Sequence, residues 1–350
     1  MSIGGNRLNV GVLGASGYTG AELLRLLVTH DGVNIAALTA DRRAGQPIEA
    51  VFPHLGGLGL PTLVANDEVD WSAMDVAFCC LPHGTTQEII AALPEHLKIV
   101  DLSADFRLRD IATYAEWYGH EHRAPALQSD AVYGLTEAYR DEIARARLVA
   151  APGCYPTGAL LPLIPLLEAG QIVIDEITID AKSGTTGAGR AAKEGMLFSE
   201  VGEGFSAYGI AGHRHMPEME QELSVAAGQP VTIGFTPHLV PMSRGILSTI
   251  YVRLRDGASA DDLRATLDAR YADEPFVRVL PAGFAPATQH VRGSNHCLIG
   301  VHADRRPGRA VLVSAIDNLT KGSSGQAVQD MNIMYGLDER RGLGQAPLFP

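Results

Sequence analysis

Cysteine is scarce. Four residues in 350, two adjacent (Cys79 and Cys80) and two isolated (Cys154 and Cys297), make neither a disulfide scaffold nor a C-x-x-C metal pair. They read as free thiols. Positive charge is also short, with 28 Lys and Arg against 40 Asp and Glu, and the formal net charge of −12 argues against nucleic acid or an anionic membrane as the main partner. An anionic ligand must then be met by local Arg or Lys. No apolar run approaches the ~20 residues of a membrane span. The opening "MSIGGNRLNVGVLGASG" lacks the charged start and apolar core of a leader, so a cytoplasmic protein with no membrane partner is expected. Repeats and low-complexity tracts are missing. With 46% hydrophobic residues and only 19% charged, the chain does not read as disordered and has core material for the two domains its length suggests.

What is there alternates. "LNVGVLGAS", "VNIAALTA", "DVAFCCLPH", "LKIVDLSA" and "ARLVAAPGC" are near-continuous apolar runs separated by helical patterns such as "TGAELLRLLVTH" and "TTQEIIAAL". That predicts an α/β domain whose parallel sheet is covered on both faces. Past Gly170, "QIVIDEITIDAKSG", "VTIGFTPHLV", "GILSTIYVRL", "HCLIGVHAD" and "AVLVSAIDN" alternate or are β-branched, with a clear helix at "SADDLRATLDARYADE". This predicts a second, α+β domain of mainly antiparallel sheet. A C-terminal helical pattern, expected to pack back on the first domain, places Ala327, Met331 and Met334 on one side. The expected divisions are 1–151, 152–316 and 317–350, with the first boundary beside Cys154, and interdomain clefts favour ligands.

"VGVLGASGYTGAELLRLL" joins strand, glycine turn and helix in the context of a dinucleotide fingerprint, making the first domain Rossmann-type. Gly14, Gly17 and Gly20 give G-x-x-G-x-x-G instead of G-x-G-x-x-G. Glycines let the backbone approach a pyrophosphate, and the helix start favours its charge. A tight turn without a ligand is the weaker alternative. After the second strand, "LTADRRAG" offers Asp41 for a free ribose hydroxyl or Arg42 and Arg43 for a 2′-phosphate. The residues leave NAD and NADP open, leaning to NADP.

Cys154 lies in "PGCYPTGALLPL", at the start of a helical run, where a helix N-terminus lowers a thiol's pKa. Gly153 permits a sharp turn and Pro156 suits a first turn. A buried structural role explains Cys79, Cys80 and Cys297 better than it explains Cys154. A thiolate needs an acid/base partner, and "AGHRHMPEM" offers His213 and His215 around Arg214, ahead of a helix starting near Pro217. The pair also fits metal ligation or plain surface positions, but no further ligands stand out nearby, so no metal is expected. If the stretch is extended, the two histidines point to opposite sides and one alone faces the thiol. In "KSGTTGAGR", Ser183 and Gly184 open a small-residue loop with donors for phosphate or carboxylate, or a flexible linker. Arg107, past a strand end in "DLSADFRL", and Arg244 in "PMSRGI" fit anion contacts or ordinary surface positions equally.

These stretches, with "CLPHG", "YGLTE", "GSNHC" and "DNLTKGSSGQAVQ", make the chain resemble the N-acetyl-gamma-glutamyl-phosphate reductases of the semialdehyde dehydrogenase superfamily over nearly its whole length. The resemblance implies a catalytic and dimerisation role for the second domain, and a homodimer or homotetramer. It implies Cys154 as nucleophile and a histidine of the HRH stretch as acid/base, His213 favoured because it follows Ile-Ala-Gly, His215 the alternative. It implies that Arg107 and the Ser183–Gly184 loop meet the substrate phosphate, with Arg214 and Arg244 also on substrate. NADP would contact Gly14, Ser16, Gly17, Tyr18, Thr19, Gly20 and Pro82, with Asn318 by the nicotinamide. Family members often carry Ser-Arg where this chain has Ala40-Asp41, so the 2′-phosphate contact falls to Arg42, Arg43 or Thr39. The implied reaction is NADPH-dependent reduction of N-acetyl-L-glutamyl 5-phosphate, a small acyl phosphate, through a Cys154 thioester. Aspartate-semialdehyde dehydrogenases match "PGCYPT" and "HRHMPE" poorly, a reductase of carrier-borne substrates would need a basic docking face, and a non-catalytic dinucleotide sensor would carry Cys154 as a structural or redox-sensing thiol.

Overall fold

A computed structural model describes residues 7–350; Met1–Asn6, which begin the first expected domain and the segment read for a leader, lie outside them. The chain divides into two compact units. One runs to Pro152 and takes up Ser323–Gly344, and the other comprises Gly153–Gly322 with Gln345–Pro350. The return to the first unit thus falls later than residue 317.

The first unit is built on strands β1 (Leu8–Leu13), β2 (Val33–Thr39), β3 (Leu63–Val64), β4 (Val76–Cys79), β5 (Lys98–Asp101), β6 (Ala131–Tyr133) and β7 (Leu148–Ala150), in the order β3-β2-β1-β4-β5-β7-β6. Every pairing is parallel. Val10, Val12, Leu13 and the whole of β4 are fully buried, which is why these strands read as unbroken apolar runs. The helix Tyr18–Leu27 buries Leu23, Leu24, Leu26 and Leu27, each worth about 1.5–3 kcal/mol of transfer free energy. The returning helix Gly325–Met334 buries Ala327, Met331 and Met334 and is fixed by the Thr136 hydroxyl donating to Asp330 at 2.7 Å.

The second unit holds β8 (Thr178–Ser183), β9 (Ser206–Ala207), β10 (Gly234–Leu239), β11 (Ile246–Arg253), β12 (Val277–Val279), β13 (Cys297–Ala303) and β14 (Arg309–Ile316), in the order β12-β13-β14-β11-β8-β10-β9. β8–β10 and β12–β13 pair in parallel and the other four pairings are antiparallel, as the alternation predicts. Along β11, Ile246, Ser248, Ile250 and Val252 face inward while Leu247, Thr249, Tyr251 and Arg253 face out. The helix Cys154–Glu168 is buried over nearly its whole length. At Gly158 it faces the hydroxyls of Ser248 and Ser314 on the sheet, each 3.6 Å from where a Cβ would stand, which is ordinary contact. Pro165 has no N–H for the Leu161 carbonyl, and the Tyr271 hydroxyl donates to that carbonyl instead, at 2.5 Å. Among the described residues no helix is long and apolar enough to cross a membrane.

Candidate active site

In the first unit the glycine turn is shaped by what its glycines lack. Gly14 has φ +77°, and a Cβ there would stand 2.8 Å from the Cys80 carbonyl oxygen. A Cβ on Gly20 would stand 2.6 Å from the Ala15 carbonyl oxygen, so only glycine lets the helix cross the turn. Gly17 is different, since only the Gly14 oxygen, at 3.9 Å, comes near its Cβ position. It is the N-cap residue of Tyr18–Leu27 and supplies no side-chain cap. The first-turn N–H groups beyond it have no acceptor within the helix. Open space before such donors fits a pyrophosphate.

Thr39 is fully buried and its hydroxyl accepts the Gly14 N–H at 3.3 Å. It therefore shapes the turn and is withdrawn as a 2′-phosphate contact. Arg42 and Arg43 are both exposed on the loop after β2, Arg43 donating to Gln46 at 3.4 Å. Pro82 opens the loop after β4, which Asp105 organises by accepting the Gly84 N–H at 2.8 Å and the Thr86 N–H at 3.0 Å. Arg107 is buried, not a surface residue, and donates to the Ala151 carbonyl at 2.8 Å and the Leu102 carbonyl at 3.1 Å.

In the second unit Cys154 is the first residue of its helix, after Gly153 in extended conformation. Gly322 packs so closely that a Cβ there would stand 2.9 Å from the Cys154 Cβ. Cys79 and Cys297 are buried while Cys80 and Cys154 are partly exposed, and burial pushes the Cys79 and Cys80 thiols up. The Gly153 N–H donates at 2.7 Å to Glu218, a fully buried carboxylate to which the sequence reading gave no role. Glu218 lies one helical turn after His215, the only sequence signal that could have found it.

The histidines do not alternate across an extended strand. Residues 209–215 turn, and the two rings lie 4.8 Å apart, centroid to centroid, both against Tyr155. His215 reaches Gly153: a Cβ there would be 2.5 Å from its Nε2. His213 Nδ1 accepts the His215 N–H at 3.1 Å, which places its own proton on Nε2. Burial, and then the charge of Arg214, lower the His213 pKa to about 4. Neutral near pH 7, His213 is a hydrogen-bond donor there. Tyr155 and Tyr208 share a hydroxyl contact of 3.0 Å beside these rings. Arg214 is exposed.

The Ser183–Gly184 loop is not an open anion nest. The N–H groups of Gly184, Thr185 and Thr186 donate to the carbonyls of Gly245, Met242 and Ser243 at 2.9, 2.9 and 3.2 Å, and Ser183 donates to the Gly184 carbonyl at 3.0 Å. The pairing spends the donors expected for phosphate and fixes the neighbouring Arg244, which stands 3.5 Å from the buried Asp317. Asn318 is buried, accepting from the Gly245 N–H at 2.8 Å and donating to Thr186 at 2.9 Å. Among the described residues no group of three or more His, Cys, Asp or Glu is placed to hold a metal.

Residues 9–146 match the family described as "Semialdehyde dehydrogenase, NAD binding domain", and residues 154–318 match "Semialdehyde dehydrogenase, dimerisation domain". The chain is 63% identical to an N-acetyl-gamma-glutamyl-phosphate reductase of Rhodospirillum rubrum, covering 98% of this chain and 99% of the relative. It is 59% identical to a probable chloroplastic N-acetyl-gamma-glutamyl-phosphate reductase of Oryza sativa, covering 99% and 83% respectively. Its fold is similar to the crystal structure of aspartate semialdehyde dehydrogenase II from Vibrio cholerae, with a TM-score of 0.72 at 19% identity over 95% of this chain and 99% of that one.

Proposed function

The chain belongs to the N-acetyl-gamma-glutamyl-phosphate reductases of the semialdehyde dehydrogenase superfamily, and from that membership we infer that it reduces N-acetyl-L-glutamyl 5-phosphate to N-acetyl-L-glutamate 5-semialdehyde and phosphate, as an oligomer, homodimer or homotetramer. The observation that carries the mechanism is a partly exposed thiol at a helix start with an imidazole edge packed against the residue before it.

Cys154 is the nucleophile. Its thiol proton passes to His215, the thiolate attacks the acyl carbon, and the C–O bond to phosphate breaks to leave a thioester on Cys154. First-turn N–H groups of the Cys154 helix stabilise the oxyanion at each tetrahedral stage. When bound, NADPH supplies the hydride that reduces the thioester carbonyl. His215 gives the proton it took from Cys154 to the departing phosphate, and after hydride addition the oxyanion re-forms its C=O as the C–S bond breaks, releasing the aldehyde and the Cys154 thiolate. His213, neutral with its proton on Nε2, donates to substrate oxygen, while Glu218 holds the Gly153 backbone. Arg107, Arg214 and Arg244 are the proposed anion contacts, with the Ser183–Gly184 loop acting through Arg244. Gly14, Ser16, Gly17, Tyr18, Thr19, Gly20 and Pro82 would hold the dinucleotide, Arg42 and Arg43 its 2′-phosphate, and Asn318 the nicotinamide side.

Purified protein should reduce NADP in reverse, given N-acetyl-L-glutamate 5-semialdehyde and phosphate. Cys154→Ala should abolish this while NADP binding and the thermal midpoint stay near wild type. Turnover retained by the alanine variant would sink the mechanism, and NADP binding with no reverse turnover by wild type would favour a sensor.

A further inference from the structure

Two of the first unit's buried carboxylates, Asp101 at the end of β5 and Asp105 four residues on, are fully shielded from solvent and close in the chain. Two hydroxyls link them. Ser103 Oγ lies 2.7 Å from Asp101 Oδ2, Ser103 Oγ and Thr86 Oγ1 are 2.9 Å apart, and Thr86 Oγ1 lies 2.7 Å from Asp105 Oδ2. Three short oxygen–oxygen contacts in a row need three protons. The two hydroxyls supply two. The third must sit on one of the carboxyl groups.

Asp105 is the wrong place for it. Its carboxylate already accepts the Gly84 and Thr86 N–H groups, the Thr86 hydroxyl and the Tyr114 hydroxyl at 3.2 Å, and His83 Nδ1 lies 2.7 Å away. Burial works to raise its pKa, but these donors outweigh it and hold the group well below the ordinary carboxylate range. Asp101 receives one backbone N–H, from Ser103 at 3.0 Å, and the single hydroxyl contact. We infer that Asp101 is a neutral carboxylic acid, and that its proton completes a chain through Ser103 and Thr86 to Asp105 that pins the loop after β4 to the end of β5. The direction is then unique. Asp101 donates to Ser103, Ser103 to Thr86, and Thr86 to Asp105. Ionised Asp101 would take the Ser103 hydroxyl proton for itself, leaving the Ser103 and Thr86 oxygens facing each other without one.

The titratable and charged groups around the pair are Cys79 at the end of β4 and Cys80 just after it, Arg107 from the loop after β5, and His83, Tyr114 and His122 around Asp105. Burial is the largest influence on Asp101 and moves it up to about 7. A carboxyl raised in the folded state contributes stability that is complete below the unfolded value of 3.8 and is lost as pH rises to about 7. Asp101 is thus a positioning residue, and the chain it completes loosens above neutrality.

Infrared spectra of the full chain test the proton directly. At mildly acidic pH the wild type should show the carbonyl band of a neutral carboxylic acid that Asp101→Asn lacks, and the band should fade as pH passes through neutrality. Thr86→Val removes the acceptor that makes the proton necessary, so in that variant the band should fade at lower pH. Asparagine can donate to Ser103 at any pH. The thermal midpoint of Asp101→Asn should therefore gain on wild type between about pH 4 and 7 and hold level beyond. No Asp101-dependent band, or a band that titrates identically in Thr86→Val, overturns the assignment even if Asp101→Asn fails to fold. A last arm rests on the reading that the Pro82 loop holds cofactor. The wild type's NADP dissociation constant should rise with pH above neutrality, by up to about tenfold per pH unit for one linked proton, and stay flat in Asp101→Asn. A normal band beside pH-independent NADP binding in the wild type overturns the loop's cofactor role and leaves the proton on Asp101.

Discussion

Gly153→Ala separates the two histidines by geometry alone. The Gly153 backbone, φ −64° and ψ 153°, is open to any L-residue, so the substitution brings no backbone strain. The new methyl would stand 2.5, 2.8 and 2.9 Å from Nε2, Cε1 and Cδ2 of His215. Ordinary contact needs about 3.5–4.0 Å, so the imidazole must retreat by roughly 1 Å. It has little room, with the ring centroids of Tyr155 at 5.9 Å and His213 at 4.8 Å. A displacement of roughly 1 Å in a positioned group costs about 10²-fold in rate, which is roughly 2.7 kcal/mol on the barrier. Overpacking should cost about 1–3 kcal/mol of stability. The assay is the phosphate-dependent reverse reaction, with NADP affinity and the thermal midpoint as controls. The kcat of Gly153→Ala should fall about 10²-fold with NADP affinity unchanged, and adding Gly153→Ala to His215→Asn should cost little more than His215→Asn alone. A folded Gly153→Ala protein with wild-type kcat would show that His215 takes no part in the proton transfers.

Removing both charges by Arg42→Ala with Arg43→Ala should raise the Michaelis constant for NADP well above that for NAD. An unchanged ratio of the two constants would place the 2′-phosphate elsewhere or make Asp41 a selector of NAD. His213 titrates near 4 because burial opposes its imidazolium, so the folded state binds that proton more weakly than the unfolded chain and stability falls as pH drops from about 6.5 to about 4. His213→Asn should flatten thermal midpoints across that window and leave the ionisations of the pH–rate profile in place, a profile read from initial rates between pH 5 and 9. Loss of an ionisation would return the acid/base role to His213.

Both sheets were legible because burial on two faces and burial on one face leave different patterns, continuous in β4 and alternating in β11. Cys154 was legible because Gly-Cys-Tyr-Pro marks a helix start. The orientation of the histidines was not. Gly209 and Ala211 carry φ of +54° and +55°, and two left-handed residues fold the stretch back so that both imidazoles meet Tyr155. Glycine hints at such a turn, but alanine in that region gives no warning. The donors of the Ser183–Gly184 loop read as available because their acceptors, at 242–245, lie far along the chain. For Arg107 an anion contact and a surface position read equally well, because the Ala151 carbonyl that holds it belongs to a neighbouring strand's end.

Glu218 gives the thiol turn an electrostatic logic that the motif alone does not show. A buried carboxylate near a cysteine should oppose thiolate formation, since like charge raises a thiol's pKa. Glu218 and His215 both meet Gly153, one through its N–H and the other against its Cα. Moving a proton from Cys154 to His215 leaves the local net charge unchanged. It shifts negative charge onto the helix start, where the dipole favours it, and creates positive charge near the carboxylate. In the mechanism proposed above, a carboxylate held at the residue that both groups meet favours the ion-paired state over the neutral pair, since a nearby carboxylate stabilises an imidazolium. The Gly153 N–H keeps one oxygen of the fully buried Glu218 hydrogen-bonded, which lowers the cost of burying the carboxylate there.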